Sequence, residues 1–111
     1  MRRNSLPDMR CRRCTPLPQD VADAADLLGR RWVPAIVYAA SRSGAVRFNE
    51  FKQVLGPIPP RTLAQRLVEL EQAGVIERRV IDARPPLVEY RLSARGRRLQ
   101  QLVEALERWG G

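Results

Sequence analysis

The segment Gly56-Pro57-Ile58-Pro59-Pro60 restricts the fold more than any other part of the sequence. Three prolines and a glycine in five residues predict a tight turn between two stretches of helical periodicity. Asn49 can cap the first helix, over about residues 50–55. The second helix covers about residues 60–73, and Gly74 suits its left-handed C-terminal cap. The residues predicted to face inward are Phe51, Val54 and Leu55 in the first helix, and Leu63, Leu67 and Leu70 in the second.

Two strands and a helix are predicted after this pair. Residues 75–81 are β-branched at four of seven positions, and residues 88–92 alternate between apolar and charged side chains. Both patterns favour strands. The intervening residues 82–86 have the length of a hairpin loop. Ser93 can cap the last helix, whose apolar stripe is Leu99, Leu102, Val103, Leu106 and Trp109.

The region before the turn contains two further predicted helices. The stripe of the first is Val21, Ala24, Ala25 and Leu28, at the i, i+3, i+4 and i+7 positions of an amphipathic helix. Gly29 can end it. The second covers residues 32–41, with Pro34 in its first turn, where no amide donor is needed. Ser43-Gly44 breaks that helix, and residues 45–48 are a short extended piece.

The order of elements predicts a mainly α fold with a small β-hairpin wing, the layout of a winged helix-turn-helix domain. A chain of 111 residues is long enough for one such domain with its own core. Residues 1–19, rich in Arg and Pro, are interpreted as a basic, flexible N-terminal arm, and residues 20–111 as the domain. In this layout, the second helix of the pair enters the major groove of DNA.

The net charge of +8 favours an anionic partner, such as double-stranded DNA. Residues 1–14 hold five arginines and one aspartate, a net of +4, so half of the excess lies in the arm. The charge alone is therefore weak support for DNA binding. Nearly all the basic residues are Arg, which suits phosphate and guanine but can equally reflect a GC-rich genome.

Several function classes are disfavoured by the sequence. It has no His, and no carboxylate pair, nucleophile motif or phosphate loop is recognisable, so we expect neither an enzyme nor a cofactor. No apolar run approaches the ~20 residues of a membrane span, and the N-terminus lacks the apolar stretch of a signal peptide. We therefore expect a cytoplasmic protein without a membrane partner.

Five sequence blocks together resemble the HxlR-type winged helix-turn-helix regulators. They cover roughly residues 20–109, in the order and at the spacing of that family. The blocks are Gly29-Arg30-Arg31-Trp32, Arg47-Phe48-Asn49-Glu50-Phe51, residues 60–67 (PRTLAQRL), residues 70–76 (LEQAGVI) and residues 85–93 (PPLVEYRLS). The resemblance implies a homodimeric transcription factor that binds an inverted-repeat operator and dimerises through its first and last helices.

The apolar stripes of the first and last helices also indicate a dimer, because so small a domain cannot fully bury every helix. The alternative is that the stripe of the last helix packs only on its own core. The predicted interface comprises Val21, Ala24, Ala25 and Leu28 in the first helix, and Leu99, Leu102, Val103, Leu106 and Trp109 in the last.

Polar residues in the first two turns of the helix after the proline turn lie off its leucine seam. Arg can bond guanine in bidentate fashion, Gln can do so with adenine, and Thr can touch a thymine methyl or a phosphate. The alternative for these residues is a solvated polar face. The predicted base or phosphate contacts are Arg61, Thr62, Gln65 and Arg66.

Five further basic residues are predicted around this helix. Arg84 lies at the tip of the wing and can meet phosphate or a narrow minor groove. Arg78 and Arg79 are adjacent on a strand and point to opposite faces, so only one is expected to face DNA. Arg47 and Lys52 flank the start of the third helix and can clamp phosphate. A solvating role remains open for all five.

Cys11 and Cys14 form a Cys-x-x-Cys pair among Arg10, Arg12 and Arg13. Neighbouring cations lower the pKa of a thiol, which makes a redox switch chemically reasonable. Some members of the resembled family sense oxidants or electrophiles with a cysteine just ahead of the first helix, but here Cys14 lies a few residues earlier. The alternatives are inert thiols and a metal site shared with a partner chain, since two ligands do not complete a zinc site.

The main prediction is a homodimeric, sequence-specific transcription regulator that responds to an oxidant or a small molecule. Two other classes remain open. One is a basic nucleic-acid-binding accessory protein without sequence preference, which the ratio of specific to random DNA binding distinguishes. The other is a thiol redox or metal module that uses Cys11 and Cys14.

Overall fold

The computed structural model describes residues 15–111 and contains eight elements. Their order confirms the predicted fold of helices with a small β-hairpin. The elements are α1 (Gln19–Leu28), α2 (Val33–Ser43), β1 (Val46–Arg47), α3 (Phe48–Leu55), α4 (Pro60–Gln72), β2 (Ile76–Ile81), β3 (Leu87–Leu92) and α5 (Ala94–Gly110).

The core lies between α2, α3, α4, the sheet and one side of α5. Phe51 is fully buried, and its ring centre lies 6.2 Å from that of Tyr90 on β3. All three leucines of the predicted α4 seam are buried, so the helical period assigned that face correctly. The buried hydrophobic residues are Val33, Ile36, Val37, Ala39, Ala40, Val46, Phe51, Ile58, Leu63, Leu67, Leu70, Val75, Ile76, Leu92, Leu99 and Val103.

The three strands form an antiparallel sheet in the order β1-β3-β2. Arg78 pairs with Tyr90, and Glu89 lies between Arg47 and Arg79 in the register. Directly paired residues of neighbouring strands point to the same face. Arg78 therefore shares the face of Tyr90, whereas Arg79 and Arg47 flank Glu89 on the opposite face.

Gly74 forms the left-handed C-terminal cap of α4, as predicted. Its φ of +76° lies in the left-handed region that favours glycine. The amide of Gly74 donates to the Glu71 carbonyl (3.0 Å), and the amide of Val75 donates to the Leu70 carbonyl (2.9 Å). This pair of bonds is a Schellman cap. Val75, predicted as the first residue of the strand, thus belongs to the cap.

The start of α5 confirms the Ser93 cap and reveals a close contact. The Ser93 Oγ accepts from the Gly96 amide (3.0 Å) and lies 3.1 Å from the Val75 carbonyl oxygen. Gly96 is buried, and a Cβ atom there would overlap that same carbonyl oxygen. The absence of a side chain at Gly96 therefore allows α5 to begin directly against the end of the α4 cap.

The start of α2 differs from the prediction. Trp32, expected as the first helical residue, precedes the helix with a φ of +78°. The helix instead begins at Val33, whose amide donates to the Arg30 carbonyl (3.1 Å) in a tight turn. The Arg31 guanidinium lies 5.2 Å from the centre of the Trp32 ring, a cation–π contact at this turn. The other end of α2 extends two residues beyond the predicted Ser41.

The start of α3 was also predicted incorrectly. The helix begins at Phe48, so Asn49 lies inside its first turn and does not cap it. The Glu50 carboxylate instead accepts from the Arg47 amide (2.8 Å), satisfying a donor just before the helix. Because α3 takes Phe48, the extended piece predicted over residues 45–48 is reduced to the strand Val46–Arg47. Val54, predicted to face inward, is exposed.

Candidate nucleic-acid interface

The first two turns of α4 present a polar face to solvent. Because Leu63, Leu67 and Leu70 are buried, residues on the other side of the helix point away from the core. Arg61 and Gln65 are exposed, and Thr62 is half-buried. These three predicted contact residues therefore lie on or beside one accessible face.

The N-terminus of α4 also offers backbone donors. Pro60 has no amide hydrogen, and the first helical bond of α4 joins the Leu63 amide to the Pro59 carbonyl (3.0 Å). The amides of Arg61 and Thr62 precede that bond along the helix. Amides in this position, at the positive end of a helix dipole, can bind a phosphate oxygen.

Arg66, the fourth predicted contact residue of α4, is held within the fold. Its Nε donates to the Arg31 carbonyl oxygen (3.0 Å), and its side chain is only 19% exposed. Its terminal nitrogen lies 3.3 Å from the carboxylate of Glu69, one turn further along α4. These bonds engage Nε and one terminal nitrogen of Arg66, so the fold already uses part of the guanidinium that the prediction assigned to a base.

Glu69 is the centre of a polar cluster that the sequence analysis missed. Its carboxylate lies 3.1 Å from the Arg30 guanidinium and accepts from the Gln65 amide nitrogen (3.2 Å), in addition to its contact with Arg66. The side chain of Glu69 is 20% exposed. The spacings 65–69 and 66–69 are visible in the sequence as i,i+4 and i,i+3 pairs. The contacts made by Arg30 and by the Arg31 carbonyl join residues far apart in the chain, so no local spacing in the sequence indicates them.

Opposing influences act on the Glu69 carboxyl. Burial raises its pKa, but the hydrogen bonds from Arg30 and Gln65 and the charges of Arg66 and Arg30 outweigh that effect. The pKa of Glu69 therefore lies below the ordinary value of 4.5. The carboxylate is ionised at neutral pH and acts only as a hydrogen-bond acceptor there.

The remaining predicted basic residues are distributed around α4. Arg84 is exposed in the loop between β2 and β3, which is the predicted wing tip. Arg78 and Arg79 are both exposed, on opposite faces of β2. Arg47 is exposed on β1, and Lys52 is half-buried on α3. No hydrogen bond to another side chain ties down the Arg84 guanidinium within residues 15–111.

The predicted dimer interface divides into buried and exposed parts. Leu99 and Val103 are buried in the core of this chain, so these two members of the stripe are not free to meet a partner. Leu102, Leu106 and Trp109 are exposed, with Trp109 at 88%. Nothing in α1 is buried, although Ala24 and Leu28 are partly covered and Val21 and Ala25 are exposed. A groove of about 620 Å³ separates α1 from the first half of α5.

Residues 15–111 contain no cluster of His, Cys, Asp and Glu side chains suited to a metal ion. Across the same residues, no helix is long and apolar enough to cross a membrane. Cys11 and Cys14, with the rest of the predicted arm up to residue 14, lie outside the described residues.

The pair α3 and α4, the turn between them and the β2–β3 hairpin define a winged helix-turn-helix protein. The profile of the HxlR-like helix-turn-helix family matches residues 27–111. The chain belongs to this family, as the five sequence blocks predicted. The profile begins at Leu27, so it covers only the end of α1.

Individual relatives agree with that assignment. YvaP, an uncharacterized HTH-type transcriptional regulator of Bacillus subtilis (strain 168), is 37% identical over 86 residues, which are 78% of this chain and 79% of YvaP. The HTH-type transcriptional regulator YodB of the same organism is 36% identical over 86 residues, 78% of this chain and 76% of YodB. These relatives and the family are transcriptional regulators rather than enzymes.

A solved structure shows the same fold. The redox regulator HypR, in its oxidized form, matches with a TM-score of 0.77 and 36% sequence identity, over 82% of this chain and 93% of HypR. The protein is thus a transcriptional regulator with a DNA-binding helix-turn-helix of the HxlR type.

Proposed function

We propose that two copies of this chain bind an inverted-repeat operator, each inserting the first two turns of α4 into a major groove. The observation that carries this proposal is the exposure of Arg61 and Gln65 opposite the buried leucine seam of α4. Side chains at the N-terminal end of a recognition helix are the ones that reach base edges. We expect such a regulator to act in the cytoplasm, where it meets its operator DNA.

The proposed contacts divide between bases and backbone. Arg61 bonds a guanine, and Gln65 bonds an adenine. Thr62 and the free amides of the first turn meet a phosphate. Arg84 meets phosphate or the minor groove from the wing, and the phosphate contacts that remain come from Arg47, Lys52 and one of Arg78 and Arg79. Arg66 holds α4 in place and contacts no base.

The proposed dimer brings together α1 and the outer side of α5. The exposed apolar side chains there are Val21, Leu102, Leu106 and Trp109, and burying them against a second copy removes them from water. Leu99 and Val103 support this surface from the core side. A two-fold dimer places its two α4 helices on one face of the duplex, about 34–36 Å apart.

Selection of bound sequences from a random DNA pool tests the proposal. We expect an inverted repeat that the protein prefers over random DNA by about 10³-fold or more. Arg61→Ala should weaken binding to it by about 1–3 kcal/mol. Arg108→Ala removes another exposed arginine, at the end of α5, and should leave affinity nearly unchanged. Equal affinity for all sequences would instead favour a non-specific nucleic-acid-binding protein.

A redox input is a second proposal, favoured by the similarity to HypR, which is described as a redox regulator. The thiols of Cys11 and Cys14 are the candidates, because neighbouring arginines stabilise a thiolate. Diamide treatment should change operator affinity in the wild type and leave Cys11→Ser and Cys14→Ser variants unaffected. Unchanged affinity and mass after oxidation would show that the thiols are inert.

A further inference from the structure

The hydrogen bond between Gln65 and Glu69 bears on which base α4 reads. The Gln65 amide nitrogen donates to one carboxylate oxygen of Glu69, at 3.2 Å. Arg30 and Arg66 both contact the other carboxylate oxygen, Oε1, at 3.1 and 3.3 Å. The carboxylate that accepts from the Gln65 amide is therefore held by two cations, and its side chain is 20% exposed.

The direction of the Gln65 amide follows from the chemistry of its partner. An ionised carboxylate can only accept hydrogen bonds, so the NH₂ group must face Glu69 and the carbonyl oxygen must face away. The carbonyl oxygen and the second N–H of the amide then remain available on the exposed side. Such an acceptor–donor edge matches N6 and N7 of adenine, whereas guanine offers two acceptors there.

We propose that Glu69 is a positioning residue that sets base preference, by orienting the Gln65 amide so that it selects adenine. The inference rests on the proposed insertion of α4 into the major groove. Glu69 touches no base and acts through Gln65. Arg30 and Arg66 contribute by keeping the carboxylate in place, so the α1–α2 turn also supports the reading face.

The test uses the full-length protein and the operator obtained by selection, together with variants carrying each single base-pair change. In the wild type, one adenine per half-site should depend on Gln65, and Gln65→Ala should abolish the preference there. Glu69→Gln keeps the shape of the side chain but can donate as well as accept, so it no longer fixes the amide. We expect it to reduce the preference for that adenine about tenfold.

Two controls separate positioning from a general structural role. Glu71→Gln changes an exposed carboxylate of the same helix and should leave every base preference intact. The double variant Gln65→Ala/Glu69→Gln should have the same preference at that base pair as Gln65→Ala alone, because Glu69 acts only through Gln65.

Three results would overturn the inference alone: an unchanged adenine preference in Glu69→Gln, an equal loss at every base pair, or additive effects in the double variant. An adenine preference that survives Gln65→Ala would overturn both the inference and the proposed contact between Gln65 and adenine. If the wild type prefers no sequence at all, the proposed function itself fails, and the inference fails with it.

Discussion

The Arg66 side chain donates a hydrogen bond to the carbonyl oxygen of Arg31, 35 residues earlier in the chain. This 3.0 Å contact joins the middle of α4 to the turn between α1 and α2. It gives Arg66 a structural role, because two of the three guanidinium nitrogens already bond oxygen atoms of the fold. Mutation of Arg61 and mutation of Arg66 should therefore have different effects on stability.

Arg66→Ala should lower the free energy of unfolding by about 1–2 kcal/mol, because it removes a charged hydrogen bond to a backbone carbonyl. Arg61→Ala, on the exposed face, should change stability by less than about 0.5 kcal/mol. Urea unfolding followed by circular dichroism measures both. Equal stability of the two variants would contradict the assigned role of Arg66.

Gly96→Ala should destabilise the fold by about 1–3 kcal/mol, because the added methyl group would overlap the Val75 carbonyl oxygen and push α5 away from the α4 cap. Gly110→Ala is the matched control, since no atom lies within 4 Å of a Cβ there. Thermal unfolding at one protein concentration compares the two. A Gly96→Ala variant as stable as wild type would show that the α5 terminus can shift freely.

The lowered pKa of Glu69 makes part of the stability dependent on pH. The ionised form is favoured in the folded state, so its contribution is complete above the ordinary value of 4.5 and is lost as the pH falls through the lowered value. Wild type should therefore exceed Glu69→Gln in unfolding free energy at pH 7, and the difference should shrink towards pH 3. A difference that stays constant with pH would argue against the ion contacts.

Leu102→Glu should disrupt the proposed dimer, because it places a charge in the apolar surface formed by α1 and α5. Val68→Glu is the control, since Val68 on α4 is similarly exposed, at 51% compared with 49% for Leu102. Sedimentation equilibrium gives the masses. We expect a monomer or a much weaker dimer for Leu102→Glu only, and a wild-type monomer would contradict the proposed interface.

Local interactions account for what the sequence determined by itself. The spacing of Leu63, Leu67 and Leu70 defined the inward face of α4, because a helix places every third or fourth residue on one side. Gly74 and Ser93 marked helix ends through caps that involve neighbouring residues. The layout of a winged helix-turn-helix followed from these local signals and their order along the chain.

The tertiary structure decided which residues of each helical stripe are exposed and which are engaged within the fold. Along α5, one stripe from Leu99 to Trp109 divides into a buried side and an exposed side, because packing against α2 fixes how the helix is rotated. Asn49 lost its predicted cap role because the paired strand β1 ends at Arg47, with α3 starting one residue later. Arg66 bonds a carbonyl 35 residues away, and Glu69 gains a partner, Arg30, from the same turn. Contacts over such sequence separations depend on how the elements dock, which local spacing does not encode.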